Sequence, residues 1–142
     1  MTLYLIVMLA GERVVLPADH IDSVVEIESV TPVPLAAPHI AGLAAMRSRV
    51  LTIVDSLAAL GRAVDTPRSS QAVVVTVEGH LYGLQVCEVE DVVECPAVVQ
   101  PLNGTLEPGW ARVALGMIEI AGDALLLVDP VALVAGPPAL AA

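Results

Sequence analysis

Displaced along itself by 68 positions, the segment 3–27 (LYLIVMLAGERVVLPADHIDSVVEI) lies on the segment 71–95 (QAVVVTVEGHLYGLQVCEVEDVVEC) without a gap. Gly11 meets Gly79, Leu16 meets Leu84, and Val24-Val25-Glu26 meets Val92-Val93-Glu94. A displacement of 74 lays residues 42–60 on 116–134, where Gly42 meets Gly116, Leu51 meets Leu125, and Val54-Asp55 meets Val128-Asp129. Both matches run in the same order, so the chain reads as a duplication. The extra six residues fall in 96–112 (PAVVQPLNGTLEPGWAR), where Pro, Gly and Asn mark a loop that tolerates insertion at little cost.

Each half reads as β structure. The runs 3–9 and 73–77 are apolar and rich in β-branched residues, and a Gly-containing turn follows each. Second runs at 14–16 and 81–86 and third runs at 21–27 and 89–95 come next. A fourth and a fifth, 43–46 with 50–54 and 113–120 with 124–128, enclose a tight turn. Five short strands per half with little helix predict an all-β fold of small barrels or a sandwich. A short helix closes each half. Asp129 can cap its helix with Pro130 at the first position, and Gly136-Pro137 ends it. Asp55 and Gly61 bracket SLAAL in the same way. Capping accounts for each aspartate alone, without a catalytic carboxylate pair.

Function classes narrow from here. A length of 142 residues fits one domain, able to bury about 70% of the surface its unfolded chain exposes. A net charge of −10 argues against nucleic acid and against anionic membranes, since both select basic surfaces. Nothing approaches 18 consecutive apolar residues, so no spanning helix is predicted. The apolar N-terminus lacks a basic region and an A-x-A site, and its match to 71–77 makes it a strand. With no secretory signal, Cys87 and Cys95 suggest a reducing cytoplasm. They lie eight apart, which is neither CxxC nor a finger spacing, and a buried free thiol is expected. His20, His39 and His80 are scattered outside any metal spacing. In CEVEDVVEC, Glu88, Glu90 and Glu94 share strand parity against Val89 and Val93, the pattern of a half-buried strand with a solvated acidic side. No catalytic, cofactor or metal residue emerges. The aliphatic excess (56% apolar, no Phe) reads either as compositional bias or as apolar surface left for a partner.

The order of elements resembles the CheW family of chemotaxis adaptor domains over nearly the whole chain. Leu16-Pro17 leading to Ile21 matches the family's L-P-x-x-x-V, and Thr31-Pro32-Val33-Pro34 its T-x-V-P loop. Residues 42–57 (GLAAMRSRVLTIVDSL) match G-x-x-N-L-R-G-x-V-x-P-V-V-D-L, and 83–92 match G-L-x-V-D-x-V-x-x-V. The resemblance implies a single domain, 1–142, of two five-stranded SH3-like barrels. The halves are about 1–61 and 70–136, with a tail at 137–142. It also implies a non-enzymatic adaptor that links the cytoplasmic tip of a methyl-accepting chemoreceptor to the regulatory domain of a CheA-type histidine kinase. Barrel ends would pair with the kinase's barrel ends, and a groove between the barrels would take the receptor's helical hairpin. The partner-binding residues it implies are Arg47, Ser48, Arg49, Ile21, Ser23, Gly42 and Ala45. Arg47 falls on the family's Arg. The family's Glu, Asn, Gly, Pro and second-half Asp are replaced by Ser23, Ala45, Ser48, Thr52 and Cys87. Two readings from other classes stay open: a barrel that binds a small apolar ligand or self-associates, and a hydrolytic enzyme using Asp55 with Asp129, or Cys87.

The repeat isolates one further contrast. Arg47-Ser48-Arg49 lies on Ala121-Gly122-Asp123, so two similar hairpin tips carry opposite charge.

Overall fold

The computed structural model describes residues 2–46, 48–61, 70–96, 98–102 and 104–137. Arg47, on which much of the sequence reading rests, lies outside the described residues. The strands are β1 (Thr2–Leu9), β2 (Glu12–Pro17), β3 (Ile21–Glu26), β4 (Ile40–Met46), β5 (Arg49–Val54), β6 (Gln71–Val77), β7 (His80–Gln85), β8 (Glu88–Cys95), β9 (Ala114–Ile120) and β10 (Asp123–Val128). Short helices are α1 (Ser56–Ala59), α2 (Pro108–Val113) and α3 (Pro130–Ala135). None is long and apolar enough to cross a membrane.

Turn chemistry sets the hairpins. Ala10-Gly11, Glu78-Gly79 and Ala121-Gly122 all take positive φ at both positions, the backbone twist that joins antiparallel strands through two residues. Asp55 and Asp129 cap as expected. Asp55 Oδ1 accepts from the Leu57 and Ala58 amides at 3.1 and 3.2 Å, and Asp129 Oδ1 from the Val131 amide at 3.0 Å.

One five-stranded sheet has the order β8-β1-β2-β10-β9, the other β3-β6-β7-β5-β4. Mapping β1–β5 onto β6–β10 turns the first order into the second. Each repeat therefore gives its first hairpin to one sheet and its other three strands to the other. This corrects the expectation of one barrel per half: 1–61 and 70–136 are repeat units in sequence, while each sheet draws on both.

Each sheet curls around its own interior. Tyr4, Ile6, Val15, Ile118, Leu125 and Leu127 fill the first, with Val93 and Cys95 of β8 packed against them, so all five strands contribute. Ile27, Ala44, Leu51, Ile53, Ala72 and Val74 fill the second. A third cluster joins the two barrels, including Leu5, Val7 and Leu9 of β1, Val73 and Val75 of β6, Trp110 and Leu133. From Tyr4 to Leu9, β1 thus buries both faces, Tyr4 and Ile6 inward, Leu5, Val7 and Leu9 toward the other barrel. A strand covered on both sides is apolar at every position rather than at alternate ones. That is why the N-terminal run looks like a leader sequence.

Helix α2 was not legible in the loop-like segment 96–112. It brings Trp110 into the inter-barrel core and places Arg112 among the helix ends. The Arg112 guanidinium donates to the carbonyls of Ala132 (3.3 Å), Gly136 (2.8 Å) and Ala59. His39, also buried, donates from Nε2 to the Val134 carbonyl at 2.8 Å.

Candidate partner-binding surface

The two barrels carry equivalent β-bulges. The ladder of β3 on β6 slips between Ile21 and Ser23, leaving Asp22 as the extra residue. That of β8 on β1 slips across Glu90, its counterpart 68 residues on. Bulges at sheet edges re-aim a side chain, and here each aims a carboxylate at an arginine. Asp22 Oδ2 accepts from Arg49 Nη2 at 3.3 Å, and Glu90 Oε2 from Arg13 Nε at 2.7 Å. Arg13 also lies 3.9 Å from Asp123, the residue that replaces Arg49 in the second repeat. The hydrogen bond and charge of Glu90 raise the Arg13 guanidinium above its ordinary pKa. The Arg49–Asp22 pair reaches from β5, beside one edge strand, to β3, the other edge, and so spans the seam where the sheet closes.

The barrel ends differ in charge as a result. β2 and β10 run parallel, so the turns that precede them share one end with the start of β8. Glu12, Glu88, Glu90 and Asp123 gather there around a single arginine, Arg13. The corresponding end of the other barrel holds Arg49, Asp22, Glu78, His20 and His80.

An apolar face lies beside Arg49. Ala45 opposes Val50 and Leu43 opposes Thr52 across the β4–β5 ladder. Val50 is 62% and Leu43 39% exposed, and Ala45 is exposed too. The same face of the other barrel is Met117, Glu119, Ala124 and Leu126. There Leu102, Leu106 and Trp110 of the longer connector line a pocket together with Met117, Ala124 and Leu126, and Met117 and Leu126 are half-buried while Ala124 stays exposed. The shorter connector 27–39 leaves its counterpart open.

The residues singled out from sequence divide between these features. Arg49 is the basic partner of Asp22. Ser48 occupies the hairpin turn with φ 55°, where the second repeat has Gly122. Ser23 donates to Asp22 Oδ2 at 3.2 Å. Ala45 belongs to the apolar face, and Ile21, half-buried, packs against the inter-barrel core. Gly42 is buried with φ +149°, and a Cβ there would run into the Thr31 carbonyl. Gly116 repeats this against Gln100, so both glycines have a structural reason. Asp22, Leu43 and Val50 escaped the sequence reading. The unequal connectors were the signal for the last two. Asp22, 27 residues from Arg49, left none.

Among the described residues no group of three or more His, Cys, Asp or Glu could hold a metal ion. Cys95 is half-buried but Cys87 is exposed, against the expectation of a buried thiol, because it stands in the bend between β7 and β8.

The family model for the CheW-like domain matches residues 3–137. No curated protein sequence matches the chain. Among solved structures, the crystal structure of scaffolding protein TtCheW from Thermoanaerobacter tengcongensis is similar, with a TM-score of 0.75 at 19% identity, covering 89% of this chain and 88% of that one.

Proposed function

Since the chain belongs to the CheW-like domain family, whose fold is two SH3-like barrels and whose members are non-enzymatic adaptors, we propose that it couples chemoreceptor-type receptors to a CheA-type histidine kinase, in chemotaxis or a related motility pathway. The observation that carries this reading is the open apolar face of Leu43, Ala45 and Val50 beside Arg49. An apolar strip rimmed by arginine suits an amphipathic helix whose polar side bears carboxylates, because a guanidinium holds a carboxylate through two parallel hydrogen bonds. The receptor's cytoplasmic helical hairpin is the partner proposed for it, with Ser48, Ser23 and Ile21 along its border and Arg47 the arginine that the family resemblance assigns to the same partner. The charge difference between the barrel ends supports the second half of the reading. A kinase regulatory domain of the same architecture would be received in one orientation, since like-charged ends repel. The protein then works at the cytoplasmic tips of membrane receptors, with no insertion of its own and no nucleic-acid partner.

The replacements at Ser23, Ala45 and Ser48 fall on this receptor face, so the receptor is one fitted to a less polar surface. Purified protein is mixed with the regulatory domain of a CheA-type kinase and with a receptor-tip fragment. Retention of both is expected. Retention of neither sinks the adaptor reading, and retention of the kinase alone sinks its receptor half.

A further inference from the structure

Residues 29–46 hold no Asp, Glu, Lys or Arg, in a chain with 16 acidic residues, and His39, their one titratable side chain, is buried. Within this stretch, residues 32–38 form a mostly exposed loop. The Ala36 amide donates to the Val33 carbonyl at 3.3 Å, so residues 33–36 make a β-turn. Pro34 fills its second position, and Leu35, with φ 64°, its third. Proline followed by a positive φ defines a type II turn, whose third position suits Gly or Asn. Leu is strained there, because its Cβ crowds the backbone. The fold returns nothing for that strain, since the Leu35 side chain is wholly exposed. Strain and apolar exposure are separate costs, and Asn or Gly would avoid both. Strain kept without an internal return points to a contact outside the chain.

The other repeat treats the same passage differently. Thr31 bridges Leu43, and Gln100 bridges Met117, at equivalent edges of the two barrels. After Gln100 the chain packs Leu106 and Trp110 against the inter-barrel core. After Thr31 it leaves Val33 and Leu35 exposed, beside the open face of Leu43, Ala45 and Val50. Four residues separate Thr31 from Leu35, which places Leu35 within about 14 Å of that face. Packed helices lie about 8–10 Å apart, axis to axis. With one helix of a hairpin on the face, the groove between it and the second helix falls within this reach.

We propose that Leu35 is an apolar anchor, held out by its proline turn, that seats in the groove between the two helices of the receptor hairpin. This rests on the receptor reading given above and adds a contact that selects by shape, not charge. The turn fixes the loop before binding, so little order is lost when the anchor docks.

The test uses the intact chain and the variants Leu35→Asn and Leu35→Met. Each is melted, then titrated with a receptor-tip hairpin and, separately, with the regulatory domain of a CheA-type kinase. Leu35→Asn should weaken the hairpin about tenfold, the scale of burying one Leu side chain, and leave the kinase unchanged. It should also raise the melting temperature, because Asn tolerates this backbone region. Leu35→Met keeps an apolar side chain of similar size and should bind the hairpin within about threefold of wild type. If the wild type binds the hairpin and Leu35→Asn binds it equally, the anchor is overturned and the receptor reading stands. If the wild type binds no hairpin, both fall. Joint loss of hairpin and kinase, or a lower melting temperature in Leu35→Asn, would assign Leu35 to the fold and overturn the anchor.

Discussion

Asp22 and Glu90 are the extra residues of two equivalent bulges, and each is held by an arginine that the other repeat lacks. Arg49 reaches Asp22 from β5, and Arg13 reaches Glu90 from β2. Under the repeat, Arg49 becomes Asp123 and Arg13 becomes Leu81. One frame thus carries two charge arrangements, and a partner can tell the barrel ends apart.

Arg49→Glu should change stability by less than about 1 kcal/mol, because both members of its ion pair are solvent-accessible. It should weaken kinase or receptor retention several-fold, and so should Arg47→Glu. Thermal melts and the binding assay are run on the same preparation. A large fall in melting temperature would assign the arginine a structural role instead.

Gly42→Ala and Gly116→Ala should each cost about 2–3 kcal/mol, since the new methyl meets a carbonyl and the backbone sits at positive φ. Denaturant unfolding measures this. Gly11→Ala, with open space around it, should lose only the backbone component.

Arg112→Leu leaves three helix-end carbonyls without their charged donor and should cost about 2–3 kcal/mol. Hydrogen exchange would speed up first in α1 and α3, whose ends it joins. Uniform loss of protection across both barrels would show that the clamp acts on the whole fold.

Burial raises the Tyr4 phenol above its ordinary pKa of 10.0, the Cys95 thiol adds to this, and a hydrogen bond to Thr2 partly offsets it. The unfolded chain then loses its phenol proton first as pH climbs. The Tyr4 contribution is complete below pH 10.0 and falls away as pH rises above it. Unfolding free energies of the wild type and Tyr4→Phe, compared from about pH 9 to 11, should show a shallower decline in the variant.

The amino-acid order by itself determined the duplication, the ten strands, the glycine turns and the two aspartate caps. All of these depend on residues within a few positions of one another: apolar runs, paired turn residues, a carboxylate two or three residues before the amide it accepts from. The tertiary structure alone decided which sheet each strand joins. The first hairpin of each repeat has two apolar faces and needs cover on both, and strands of the other repeat supply part of it. It alone decided that Arg49 finds Asp22, that Arg112 finds three helix ends, and that one of two matching faces lies open. Each of these depends on groups brought from afar by burial, a non-directional force whose outcome no short window of sequence records.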